Sequence, residues 1–161
     1  MAAIFQWCEA NGSGATVTDG ITNLNMGDVD APNLVTSTYP IVAGENSYEK
    51  FIKAKFTSTF TEISNMKFWK SAGALKTGET VKANLVLPAS YSQPVKTTSS
   101  QATTDVPESL GAALAVRSAA DTATITATGY TEYICMQLRT TGSTPAGAVN
   151  TKTYTFQYDE V

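Results

Sequence analysis

The stretch "YEKFIKAKFTSTF", residues 48–60, decides how this chain is read. Tyr48, Ile52, Ala54, Phe56 and Phe60 share one parity, and Glu49, Lys53, Lys55 and Thr57 take the other. A period of two places the first set on one face of a strand and the second on the opposite face. The spacing therefore predicts a strand with one face toward a core. Phe51 falls on the polar side, so it is either exposed or covered by a neighbouring segment.

Working outward, the same device recurs. "NMKFWKS" (65–71) sets Met66 and Phe68 against Lys67 and Trp69, and "ETVKANLVLP" (79–88) directs Val81, Ala83, Leu85 and Leu87 inward before stopping at Pro88. "YTEYICMQLRTT" (130–141) and "NTKTYTFQYDEV" (150–161) alternate in the same manner, joined by "GSTPAGAVN", which reads as a hairpin loop. Toward the start, "AIFQWCEA" (3–10) reads as a strand and "NGSGATVTDG" as a glycine-rich turn. "GITNLNMG" (20–27) reads as a weaker strand, and 34–47, with Pro40, as an edge or irregular segment. Ala113 to Arg117 and "TATITATG" (122–129) complete the strands. Between them, 89–109 is a polar excursion expected to hold a short edge strand or two.

About nine short strands with turn signals every 8 to 15 residues and no convincing helix predict an all-β antiparallel β-sandwich. We expect it to be immunoglobulin-like, with a jelly roll as the alternative. The 161 residues fit a single domain, 1–161, with no internal repeat and no dividing linker. A 42% apolar share against 16% charged residues suits a folded core, and the abundant Thr suits pleated surfaces.

The charge is unevenly placed. Residues 1–49 hold six acids and no Lys or Arg, whereas 50–82 hold seven Lys against Glu62 and Glu79. These segments could neutralise one another within the fold or link copies head to tail. The net charge of −3 argues against nucleic acid as a partner, which usually needs a basic footprint. No window approaches a membrane span, and the start shows neither a basic n-region nor a long apolar run. Synthesis in a cytoplasm is expected, with Cys8 and Cys135 as free thiols unless their strands are neighbours.

Equipment for catalysis is sparse. With no histidine, His-dependent triads and ordinary His-based zinc sites are excluded, and two cysteines 127 positions apart supply no metal spacing. The expectation is a protein that is not an enzyme and holds no cofactor and no metal. Asn23, Asn25, Asp28 and Asp30 are oxygen donors of the kind calcium takes, but they lack the spacing of a calcium loop and read as turn formers. Glu49 and Glu62 could make a carboxylate pair only if the fold joined them. The one candidate contact group is Lys67, Trp69 and Lys70. It reads either as a tryptophan laid along the outer sheet with lysine stems beside it, or as a contact with another subunit or partner. Stacking on bases or sugars is a third reading.

Three stretches resemble structural proteins encoded in tailed-bacteriophage virion gene clusters: "NSYEKFIKAKFTSTFTEISNMKFWKSAGAL" (46–75), the opening "MAAIFQWCEANGSGATVTDGITNLNMGDVDAPN" and the ending "TKTYTFQYDEV". The resemblance covers about half of the chain and fades across 88–128. It implies a small β-sandwich virion component, above all a capsid decoration (cement) protein. Such a protein would be made in the host cytoplasm and bind the outer head surface through the major capsid protein and copies of itself, often as a trimer. A tail, neck or head-fibre protein with a receptor- or carbohydrate-binding role is the alternative.

Overall fold

The computed structural model describes residues 2–57, 59–145 and 150–161. It is all-β, with two antiparallel sheets packed as a β-sandwich. Among the described residues the strands are β1 (Ile4–Asn11), β2 (Thr16–Asp19), β3 (Lys50–Thr57), β4 (Ile63–Ala72), β5 (Thr80–Val86), β6 (Leu114–Ala115), β7 (Gly129–Tyr130), β8 (Tyr133–Arg139) and β9 (Thr153–Glu160). The larger sheet runs β2-β1-β3-β8-β5, with β7 also paired to β3; the smaller runs β6-β4-β9. Between β7 and β8, Thr131 stands in for the interrupted ladder. Its hydroxyl accepts from the Ala54 N–H at 3.0 Å, and its own N–H donates to the Ala54 carbonyl at 2.9 Å.

The central core follows the parity of the sequence. Ile52, Ala54 and Phe56 of β3 are fully buried with Ile134, Met136 and Leu138 of β8 and with Val81 and Ala83 of β5. Facing them from the smaller sheet are Met66 and Phe68 of β4, with Tyr154, Phe156 and Tyr158 of β9 packed against the cluster. Burial of a side chain of this size contributes about 1.5–3 kcal/mol, so the facing rows hold the sheets together. Strict alternation fails once. Ile63 and Met66, of opposite parity, both point inward because the β4–β9 register shifts between Ser64 and Lys67, where Asn65 takes φ 49°. A β-bulge with one residue in the left-handed region turns the following side chains over.

Phe51 is covered. The excursion after β5 lies over the outer face of the larger sheet and buries Phe51, Val86, Ala102, Tyr133 and Cys135 in a second cluster. Tyr91 caps it, its ring 4.8 Å from that of Phe51 and its hydroxyl donating to the Gly12 carbonyl at 2.7 Å. Farther on, this excursion meets β5 through a single bridge, Lys82 to Asp105, and the short edge strand or two expected in 89–109 does not form.

Four further expectations need correction. Residues 20–27 form no strand. Asn25 instead donates its backbone N–H to Asn23 Oδ1 at 3.1 Å and its amide to the Leu34 carbonyl at 2.8 Å. Side-chain bonds of this kind compete with ladder formation. The same chemistry holds 122–129 irregular up to Gly129, through Ser118 and Thr122, whose hydroxyls lie 2.6 Å apart. Third, "GSTPAGAVN" does not close a hairpin: β8 and β9 belong to different sheets, so the connection crosses the sandwich. Its residues 146–149 lie outside the described residues. The early turn segment also holds a strand, β2, paired to β1 from Asn11↔Thr16 to Cys8↔Asp19.

The long connection from Gly20 to Glu49 wraps one end of the sandwich. Ile21 and Leu34 anchor it, and Gly27 lets its two halves meet, since a Cβ there would stand 2.8 Å from the Tyr39 carbonyl oxygen. Val35, Tyr39 and Val42 along it are exposed.

Candidate functional site

Strand β4 separates the three residues singled out in the sequence. Lys67 and Trp69 point to the outer face of the smaller sheet, and Lys70 belongs to the row facing the other way. The register sets Lys67 between Ala115 of β6 and Gln157 of β9, and Trp69 opposite Thr155. Trp69 and Lys67 are both half-buried. Directly behind Trp69, Phe68 is fully buried and stacks on Tyr154 with centroids 5.6 Å apart and planes 8° from parallel. Polar pairs join β4 and β9 along this face: Ser71 with Thr155, the residue opposite Trp69, at 2.7 Å, and Asn65 with Asp159, beyond the Lys67–Gln157 row, at 2.5 Å. Lys67 makes no ion pair among the described residues. The outcome is an outer face of short hydroxyl and amide side chains around one large aromatic and one lysine.

Lys70 has a different role. Only 6% exposed, its ammonium donates to the Gly73 carbonyl at 2.9 Å and meets Glu108 at 2.9 Å. Gly73, at φ 88°, packs directly on the Thr151–Lys152 backbone, where no Cβ fits. Lys70 therefore fastens the end of β4 to the segment beginning at Pro107, whose carbonyl also accepts from the Lys70 N–H at 2.8 Å. The expected three-residue group is a pair plus a structural lysine.

The acids of the first segment all find partners within the fold, four of them a lysine. Glu9 pairs with Lys50 and Asp19 with Lys55, while Asp28 and Glu45 share Lys96. Asp30 accepts from Asn11 at 2.6 Å and from the Gly12 N–H at 2.7 Å, and Glu49 accepts from Ser99 and from the Val95 N–H. All six acids thus have internal partners, but only Glu9–Lys50 and Asp19–Lys55 join the acidic segment to 50–82, since Lys96 lies beyond it. The oxygen donors weighed for calcium are dispersed among these bonds. Glu49 and Glu62 stay apart, one beside Ser99 and the other paired with Val161 next to the smaller sheet. Among the described residues no group of three or more His, Cys, Asp or Glu is placed to hold a metal ion.

The most deeply buried ion pair among the described residues joins Glu9 and Lys50, side chains 1% and 4% exposed, at 2.7 Å. Lys50 also donates to the Ala31 carbonyl at 2.8 Å and Asn11 donates to Asp30 at 2.6 Å, which tie the Asp28–Asn33 loop to the sheet end. Burial pushes the Glu9 carboxyl up, and the Lys50 ammonium opposes that rise. Lys53 lies over the Tyr130 and Tyr133 rings, 4.0 and 4.9 Å from their centroids, and burial pushes its ammonium pKa down.

Cys8 and Cys135 are free and buried. They sit on β1 and β8, which flank β3, opposite Lys53 and Phe51 respectively. Two strand spacings of about 4.8 Å put them beyond disulfide reach, which ends near 7 Å between Cα atoms. Burial pushes the Cys8 thiol up to about 12, so little thiolate forms near neutral pH.

A concavity between the sheets was not signalled by any motif. At one end of the sandwich the sheets part around a cleft of about 440 Å³, floored by Trp7, Val81, Leu138 and Tyr154 and rimmed by Asn23, Asn25 and Asn150. Its walls come from the 21–26 segment, from β1, β5 and β8, and from the start of β9, so no local pattern announces it. Among known proteins, no family model matches the chain, and no curated protein or solved structure is significantly similar to it.

Proposed function

We propose that this protein is a non-enzymatic structural component of a phage virion, a capsid decoration protein that binds the outer head surface and reinforces the shell. The observation that carries the reading is the outward placement of Trp69 with Lys67 on a hydroxyl-bearing face. Tryptophan is enriched among residues that dominate interface energy, and short Thr and Ser side chains lose little entropy on being covered. The β-sandwich supports the role in its coarse form, as a rigid body that presents a preformed face. The exposed Val35, Tyr39 and Val42 of the long connection offer further apolar surface to a neighbouring subunit. Because the acids of 1–49 are satisfied internally, association between copies rests on apolar and hydrogen-bonded contact. Each contact is modest, and symmetry multiplies it.

The test is rebinding to heads from which this chain has been stripped. Trp69→Ala is expected to weaken binding by roughly 30-fold, the consequence of losing an anchor worth about 2 kcal/mol. Unchanged binding by a folded Trp69→Ala variant would remove this face from the account.

A further inference from the structure

The cleft between the sheets is built for a ligand that the outer-face reading does not use. Trp7 belongs to the core face of β1, yet it is only half-buried because it lines this cleft. Its aromatic neighbours Phe5, Phe68 and Phe156 meet it at 81°, 82° and 74°, so no ring lies parallel to the indole. The rim amides are held in fixed orientations by bonds to the protein. Asn23 Oδ1 accepts from the Asn25 N–H, leaving its Nδ2 donor unengaged among the described residues. Asn25 Nδ2 donates to the Leu34 carbonyl at 2.8 Å, and Asn150 Nδ2 to the Ala74 carbonyl at 3.3 Å, leaving the Oδ1 acceptor of each. One oriented donor and two oriented acceptors thus stand around an aromatic floor.

Charge narrows the ligand. Lys152 is the only ionised side chain lining the cleft among the described residues, and its ammonium is held 3.1 Å from Glu79 Oε2, a carboxylate with no side-chain exposure. An anionic ligand such as a nucleotide would find no uncompensated cation. A purely apolar ligand would cover the amides without satisfying them, at about 1–3 kcal/mol for each. Hydroxyls that both donate and accept, on a ring with an apolar C–H face, match both requirements. The volume of about 440 Å³ falls within the range of about 300–1,000 Å³ usual for small-molecule sites.

We propose that this cleft binds a neutral mono- or disaccharide, its C–H face on the Trp7 indole and its hydroxyls on Asn23, Asn25 and Asn150. This site is distinct from the Trp69 face, so the two readings stand or fall separately.

The chain has two tryptophans, and Trp69→Phe leaves Trp7 as the sole fluorescent reporter. That variant is titrated with glucose, galactose, mannose, N-acetylglucosamine, lactose and maltose to about 20 mM, with backbone amide NMR in parallel, a range suited to the millimolar affinities of small ligands. At least one sugar is expected to give a saturable change in Trp7 emission, with amide shifts confined to residues 21–26 and 150–154. Asn25→Ala and, on the opposite wall, Asn150→Ala should each weaken that sugar by about 10-fold, one hydrogen bond's worth. No saturable response to any of the six sugars would overturn the proposal. So would a response unchanged in both amide variants.

Discussion

Lys67 and Lys70 lie three residues apart on one strand and face opposite ways: Lys67 stands beside Trp69 on the outer sheet surface, and Lys70 is buried against Glu108 and the Gly73 carbonyl. Substituting each should therefore affect a different property. Lys70→Met is expected to lower stability by about 1–3 kcal/mol, because Gly73 O and Glu108 lose a charged donor in a covered setting. Lys67→Glu should leave the denaturation midpoint within about 0.5 kcal/mol of the parent and weaken attachment to heads. Urea unfolding and a rebinding assay on both variants separate the two roles.

The Glu9–Lys50 pair should behave as a buried ion pair. Lys50→Met alone strands an ionised carboxylate and is expected to cost about 3–5 kcal/mol. Adding Glu9→Gln should recover a large part of that loss, since the partner charge then disappears as well. A double-mutant cycle by chemical denaturation measures it, and simple additivity of the two losses would contradict the description.

Glu132 gives a pH signature. It is 4% exposed, accepts from the Arg117 N–H at 2.8 Å, and burial pushes its carboxyl pKa up. A folded pKa above the unfolded one means its favourable contribution is complete below the ordinary glutamate range. That contribution is lost as pH rises through the folded value. Glu132→Gln keeps an acceptor for Arg117 and removes the ionisation cost. It should stabilise the protein at pH 8, with the gain fading near pH 4. Thermal unfolding of both proteins at the two pH values checks the sign.

Much of the fold was legible because the long strands carry their burial as parity. Ile52, Ala54 and Phe56, or Tyr154, Phe156 and Tyr158, announce an inner face whatever the rest of the chain does. The short elements left no such trace. Thr16–Asp19 is too brief for a period, and Asn23, Asn25, Ser118 and Thr122 look strand-compatible until their side chains bond the nearby backbone. Within the candidate face, parity separates Trp69 from Phe68, but adjacency in sequence falsely joined Lys70 to it. The inter-sheet cleft was invisible because Trp7, Val81, Leu138 and Asn150 converge from segments far apart in the chain. The charge split left two pairings open, and within the chain only Glu9–Lys50 and Asp19–Lys55 join the two segments, while Asp28 and Glu45 turn to the later Lys96.

The central claim, attachment to the outside of a capsid, is tested most directly by counting. Heads and tails of the parent phage are separated, and this chain is quantified in each by mass spectrometry against the major shell protein. The account predicts many copies on heads, in fixed ratio to the shell protein and removable without disrupting it. Few copies, or copies travelling with tails, would contradict decoration and move the protein to a connector or fibre role.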